Sequence, residues 1–159
     1  MTRPTTPATS ATSIRAVRPE DRAGLPAIWL RSVRATHTFL REAEIQLLMP
    51  FVVDELTTES DLELWILADR GDRPVGFMGL IGPSLEALFL DPSARRRGDG
   101  RRLVEHAMAL KGPLTVEVNE ENSDAVRFYE TMGFETFERS PDDGAGRPYP
   151  ILRMHQPAV

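Results

Sequence analysis

The run Leu88-Phe-Leu-Asp-Pro-Ser-Ala-Arg-Arg-Arg-Gly-Asp-Gly-Arg-Arg-Leu103 constrains the fold of this chain more than any other segment. It reads as a short apolar strand, a turn opened by Pro92, the pattern Arg95-x-x-Gly98-x-Gly100, and then an amphipathic helix. A strand that feeds a glycine-rich turn at a helix start is a phosphate cradle. The first N–H groups of a helix lack intrahelical partners, they point into the turn, and the helix dipole adds positive potential there. A Cβ in such a turn would hold the backbone away from the anion, which is why glycine is needed. Two other phosphate loops are excluded. No Gly-Lys-Ser/Thr follows the glycines, and Leu103 stands where a dinucleotide fingerprint would have its third glycine.

A second block lies downstream. Leu114-Thr-Val-Glu-Val118 alternates as a strand and is followed by Asn122-Ser-Asp-Ala125-Val-Arg-Phe128-Tyr129-Glu-Thr-Met-Gly133-Phe134. With both blocks in view the chain resembles the GCN5-related N-acetyltransferases, the GNAT superfamily. Its pyrophosphate signature, Gln/Arg-x-x-Gly-x-Gly/Ala, is matched by Arg95, Gly98 and Gly100. Its second signature, Asn-x-x-Ala-x-x-Phe-Tyr-x-x-x-Gly-Phe, is matched by Asn122, Ala125, Phe128, Tyr129, Gly133 and Phe134. The segments Ala27–Phe39 and Gly146–Leu152 are similar to the bacterial YjaB-type branch, and the resemblance runs from about Ile14 to Arg153.

The rest of the chain is consistent with that order of elements. Strands are expected at Ile14–Val17, Leu62–Ala68, Val75–Ile81, Leu85–Leu90, Leu114–Val118, Phe134–Glu138 and Tyr149–Met154. Helical spacing appears at Leu25, Ile28, Trp29, Ser32 and Val33, and again over about 41–55, where Pro50 is expected to kink or divide the helix. The helix after Gly100 is expected to bury Leu103, Val104, Ala107, Met108 and Leu110. The fold implied is α/β, the GNAT fold. It has a mixed central sheet of about seven strands, splayed strands 4 and 5, and about four flanking helices. Residues 1–12, rich in Thr, Pro, Ser and Ala, read as a disordered tail, and 13–159 as one domain.

Composition sets the partners. A net charge of −5 argues against nucleic acid, and the absence of cysteine excludes disulfides, thiolate metal sites and a Cys nucleophile. No stretch is long and apolar enough for a membrane span, and a cytoplasmic location is the expectation. A homodimer is left open.

The resemblance implies a specific site. Acetyl-CoA enters the wedge between the splayed strands as cosubstrate, without a metal. The main chain of Leu88, Phe89 and Leu90 holds the pantetheine arm like an added strand. The N–H groups of Arg96 to Arg101 wrap the pyrophosphate, Gly98 and Gly100 allow close approach, and Arg95, Arg96, Arg97, Arg101 and Arg102 supply positive charge. Asp99 departs from the family's apolar residue. A carboxylate there suits the helix dipole but repels a pyrophosphate, so it is expected to face solvent. Asn122 reaches the pantetheine arm and is also suited to cap its helix.

Tyr129 is the expected catalytic acid, since a phenol with pKa about 10 is protonated at neutral pH and can donate to the leaving thiolate. Glu117 is the expected base. It alternates with Val116 and Val118, so it stands on the opposite strand face and can look into the cleft. Glu86 is the alternative base. Acceptor contacts are expected from Trp29, His37, Phe39 and Tyr149. The implied reaction is direct acetyl transfer to a primary amine, on a small molecule or on a protein lysine or N-terminus. The alternative is a non-catalytic acyl-CoA-binding module.

Overall fold

The computed structural model describes residues 12–95 and 97–157. Seven strands form one sheet in the order β1-β2-β3-β4-β5-β7-β6. The strands are β1 (Ser13–Ala16), β2 (Glu63–Ala68), β3 (Pro74–Ile81), β4 (Ser84–Leu90), β5 (Thr115–Asn119), β6 (Glu135–Ser140) and β7 (Ile151–His155). The helices are α1 (Leu25–Thr36), α2 (Glu42–Thr57), α3 (Asp99–Lys111) and α4 (Ser123–Thr131). Every strand contact is antiparallel except β4 with β5, which run parallel. That mixed order, with four helices and a parallel central pair, is the expected architecture.

Strand alternation divides the core between the two sheet faces. On one face α3 and α4 bury Leu103, Val104, Ala107 and Tyr129 against Leu67, Met78, Leu80, Leu85, Val116 and Val118. On the other, α1 and α2 bury Leu25, Ile28, Trp29, Val33, Ile45 and Leu56 against Leu64, Ile66 and Phe77. Two local expectations need correction. Met108 and Leu110 are exposed on the rim of α3, because the stripe centred on Leu103, Val104 and Ala107 already fills the contact. Pro50 does not divide α2, which runs unbroken from Glu42 to Thr57. Pro50 and Gln46 both lie on the exposed side, where water can reach the carbonyl that Pro50 leaves without a donor.

The centre of the sheet is where the site is made. The parallel ladder between β4 and β5 has two residue pairs, Ser84 with Thr115 and Leu85 with Val116. Beyond them the strands separate. A register shift in the β3–β4 ladder, where Gly79 faces Ala87 and Leu80 faces Leu85, leaves Glu86 as the extra residue of a bulge. An extra residue flips the alternation and bends its strand. Leu85 and Leu88 therefore both face the α3–α4 core, while Ala87 and Phe89 face α1 and α2. The bulge coincides with the end of the β4–β5 ladder and leaves Ala87 to Leu90 without a partner on that side.

Candidate active site

A cavity of about 540 Å³ occupies the gap. Leu88, Phe89 and Leu90 of β4 form one wall, and Asn122, Ala125, Phe128 and Tyr129 at the start and inner face of α4 form the opposite wall. Arg95, Gly98, Gly100 and Arg101 close one end, and Ser32, Thr36 and His37 at the end of α1 close another. These are two of the sequence motifs and part of a third segment, brought together by the sheet order.

The turn between β4 and α3 has the properties of an anion cradle. Asp91 opens it by accepting from the Ser93 N–H at 3.1 Å, an Asx turn that reverses the chain. Gly98 caps α3 with φ of 80°, a left-handed conformation that costs a residue with a Cβ about 1–2 kcal/mol. Gly100 lies in the first helical turn. A Cβ there would stand 3.6 Å from Leu90 Cδ1 and from Phe128 Cζ, an ordinary contact distance. The protein's own packing therefore does not require Gly100, whereas a ligand approaching the helix end would. The residues fit a diphosphate: free first-turn N–H groups, a cavity-facing glycine, and Arg95 and Arg101 beside them. Arg97 is exposed and does not line the cavity, and Arg96 lies outside the described residues.

Asp99 corrects the expectation of a solvent-facing carboxylate. It is 2% exposed. Its Oδ1 accepts from Thr12 Oγ1 at 2.9 Å and from Arg102 Nη1 at 2.9 Å, and Arg102 also donates to Thr12 Oγ1 at 2.7 Å. The carboxylate is turned into this cluster, and Arg102 is spent on it. Neither side chain lines the cavity.

Asn122 caps α4, its Oδ1 accepting from the Ala125 N–H at 3.3 Å while the residue lines the cavity. Tyr129 is buried between Phe128 and Phe134, with ring centroids 5.1 and 5.2 Å away. Burial raises its pKa well above the ordinary phenol value, so the phenol stays protonated at neutral pH. Glu117 does not meet it. It does not line this cavity: it projects away from the α3–α4 face and lines a second groove of about 330 Å³ with Glu86, Thr115, Phe137 and Arg153. Its cross-strand partner on β7 is Arg153, whose Nε lies 3.0 Å from Glu117 Oε1. Register places that guanidinium opposite, where it also pairs with Glu138 at 3.0 Å.

The four residues expected at the acceptor separate. Trp29 is a core side chain, packed edge-on to Phe89 at 6.4 Å, because helical spacing puts it on the buried stripe of α1. His37, Phe39 and Tyr149 form a row, with ring centroids 5.4 and 5.7 Å apart. Tyr149 ends the row by donating its hydroxyl to Glu44 Oε2 at 2.5 Å. That bond, the Arg41 N–H and the Arg41 guanidinium hold the Glu44 pKa below the usual carboxylate range, and the same bond raises that of Tyr149. Glu44 carries no sequence signal for this role. It sits in the first turn of α2, where it reads as half of a capping box with Arg41. Thr36 and Ser32, at the helix end that precedes His37, were equally silent. No cluster of His, Asp and Glu among the described residues could hold a metal, and no described helix is long and apolar enough to cross a membrane.

Comparison with known proteins bears on the family and the fold. Residues 60–136 match the family model described as the acetyltransferase (GNAT) domain. A Salmonella typhimurium protein named peptidyl-lysine N-acetyltransferase YjaB is 46% identical over 145 residues, 91% of this chain and 98% of the relative. The solution structure of apo YjaB from Escherichia coli superposes with a TM-score of 0.84 at 43% identity, covering 93% of this chain and 99% of that one. A Thermoplasma acidophilum PaiA N-acetyltransferase, solved in complex with coenzyme A, shares the fold with a TM-score of 0.76 at 17% identity over 92% of this chain and 99% of that one.

Proposed function

This chain belongs to the GNAT acetyltransferase family, and from that premise we propose that it moves an acetyl group from acetyl-CoA to the side-chain amine of a protein lysine. The observation that carries the reading is the single cavity that joins the first-turn N–H groups of α3, the unpaired side of β4 and the buried phenol of Tyr129. The lysine acceptor rests on the names of the 46%-identical relatives.

Each residue has a task. The first turn of α3, with Arg95 and Arg101, would hold the diphosphate. The unpaired side of Leu88, Phe89 and Leu90 would hold the pantetheine arm by main-chain hydrogen bonds, and Asn122 would add one from its side chain. Acetyl-CoA supplies an activated thioester. Tyr129, kept protonated by burial, donates to the departing sulfur. The acceptor enters along the row of Phe39 and Tyr149, whose aromatic faces suit the methylene stem and cation of a lysine. A cytoplasmic setting and no nucleic-acid partner are part of the proposal. The test is incubation of the purified protein with acetyl-CoA and lysine peptides, following free thiol and peptide mass. Thiol release coupled to a mass gain on lysine is expected. Tight coenzyme A binding with no transfer to any peptide would refute it and favour a sensor.

A further inference from the structure

We infer that His37 is the proton acceptor of the reaction, taking a proton from the acceptor ammonium at its Nε2. The assignment rests on the acetyltransferase reading and adds to it a base that lines the same cavity as Tyr129, which Glu117 does not.

Thr36 Oγ1 donates to the Ser32 carbonyl at 2.8 Å, a helical back-bond to the residue one turn earlier. A hydroxyl has one proton, so toward His37 Nδ1, also 2.8 Å away, Thr36 Oγ1 can only accept. The ring proton is therefore on Nδ1, and Nε2 carries the lone pair. Nε2 has no hydrogen-bond partner among the described residues, while the residue lines the cavity shared with Tyr129. The backbone fixes this arrangement. His37 caps α1, its N–H donating to the Val33 carbonyl at 2.8 Å, and its own carbonyl accepts from Leu40 N–H at 3.0 Å. Phe39 packs on the ring at 5.4 Å. Burial depresses the imidazole's pKa below its ordinary value, which keeps the ring neutral.

The charged and titratable groups facing the same cavity are Arg95, Arg101 of α3, and Asp124 and Tyr129 of α4. Behind Phe39 stands the Tyr149–Glu44 pair. Arg34 of α1, which does not line the cavity, is paired with Glu42 of α2. No carboxylate among the described residues hydrogen-bonds the His37 ring, so its basicity is not raised by an ion pair.

The protons balance as follows. His37 Nε2 takes one proton from the lysine ammonium. The freed nitrogen bonds to the acetyl carbon as the carbon–sulfur bond breaks, and the electron pair leaves on sulfur. Tyr129 protonates that sulfur. The surplus proton on the new amide nitrogen replaces the one Tyr129 gave, and His37 returns its own to water.

The test compares the parent protein with His37→Gln, His37→Ala and Glu117→Gln. It reads pH–rate profiles on a lysine peptide, coenzyme A binding by calorimetry, and imidazole ¹⁵N shifts, in which His37 is identified by its loss in the variants. His37→Gln should lower kcat about 10²–10⁴-fold and remove the acid limb of the profile, with coenzyme A affinity unchanged. Free imidazole should restore part of the rate to His37→Ala, whereas pyrazole, isosteric but non-basic, should not. Glu117→Gln should keep the acid limb. The ¹⁵N shifts should report an Nδ1–H tautomer that titrates below about 6.5. An Nε2–H tautomer, an unchanged limb in His37→Gln, or its loss in Glu117→Gln would overturn the assignment of His37 alone. A parent protein that acetylates no peptide would overturn the acetyltransferase reading and the base with it.

Discussion

Gly100→Ala should make the protein more stable and a worse binder. The backbone at Gly100 is helical, and the added methyl would meet Leu90 Cδ1 and Phe128 Cζ at 3.6 Å, which is contact without overlap. Alanine in a helix is favoured over glycine by about 0.5–1 kcal/mol, with the lower end fitting a first-turn position. For a domain of this size 1 kcal/mol moves the midpoint by roughly 2–4 °C, so Tm should rise by about 1–3 °C. The same methyl points into the proposed diphosphate site and would push the anion off the helix end. A hydrogen bond to a charged group contributes about 1.5–3 kcal/mol, and each 1.4 kcal/mol is tenfold, so losing one weakens coenzyme A by roughly 10–100-fold. Melts without ligand and calorimetric titration with coenzyme A measure the two effects separately. Unchanged Kd would refute the close approach of a diphosphate to this turn, and a lower Tm would refute the packing argument. Gly98→Ala is the contrasting case. Nothing lies within 4 Å of its Cβ position, but its φ of 80° makes the substitution cost about 1–2 kcal/mol of stability.

Three further outcomes are expected. Tyr129→Phe keeps the stacking on Phe128 and Phe134 and removes the donor, so kcat should fall about 10²–10⁴-fold while calorimetry finds the same coenzyme A affinity. Asp99→Ala strips Thr12 and Arg102 of their shared acceptor; because Arg102 is partly exposed, chemical denaturation should show a loss of about 1–2 kcal/mol, well short of a fully buried pair. Asp21 accepts from both Arg15 Nη atoms at 2.7 and 3.0 Å and from the Arg18 N–H at 2.7 Å, which lowers its pKa. A lowered carboxylate pKa gives stability that is present above the unfolded value of about 3.9 and lost as pH falls through the folded value. Urea midpoints at pH 7 and pH 3 should therefore differ less in Asp21→Asn than in the parent.

The strands, the helices and the cradle were legible because each rests on a local period or a local turn. Val116 and Val118 announce a buried face by alternation, and Gly98 and Gly100 announce a turn by what they lack. Periodicity gives a direction but not a depth, which is why Met108 and Leu110 point correctly yet stop at the rim, and why Trp29 reads as a contact while filling the core. What failed depended on distant partners. Alternation gives the strand face of Glu117, but the Arg153 paired with it comes from another strand. Asp99 is taken up by Thr12, 87 residues earlier, and Glu44 by Tyr149, 105 residues later. The tautomer of His37 depends on a hydroxyl next to it in sequence, yet only the helical carbonyl of Ser32 decides which way that hydroxyl points.

Two rungs join the halves of the sheet, and both involve the base of the gap rather than its rim. A gap hinged so close to its apex has its width governed by what fills the apex, here Leu85 and Val116, both buried in the α3–α4 core. The opening between β4 and β5 is thus set from within the core, and a methyl group trimmed there would be felt at the mouth as leverage.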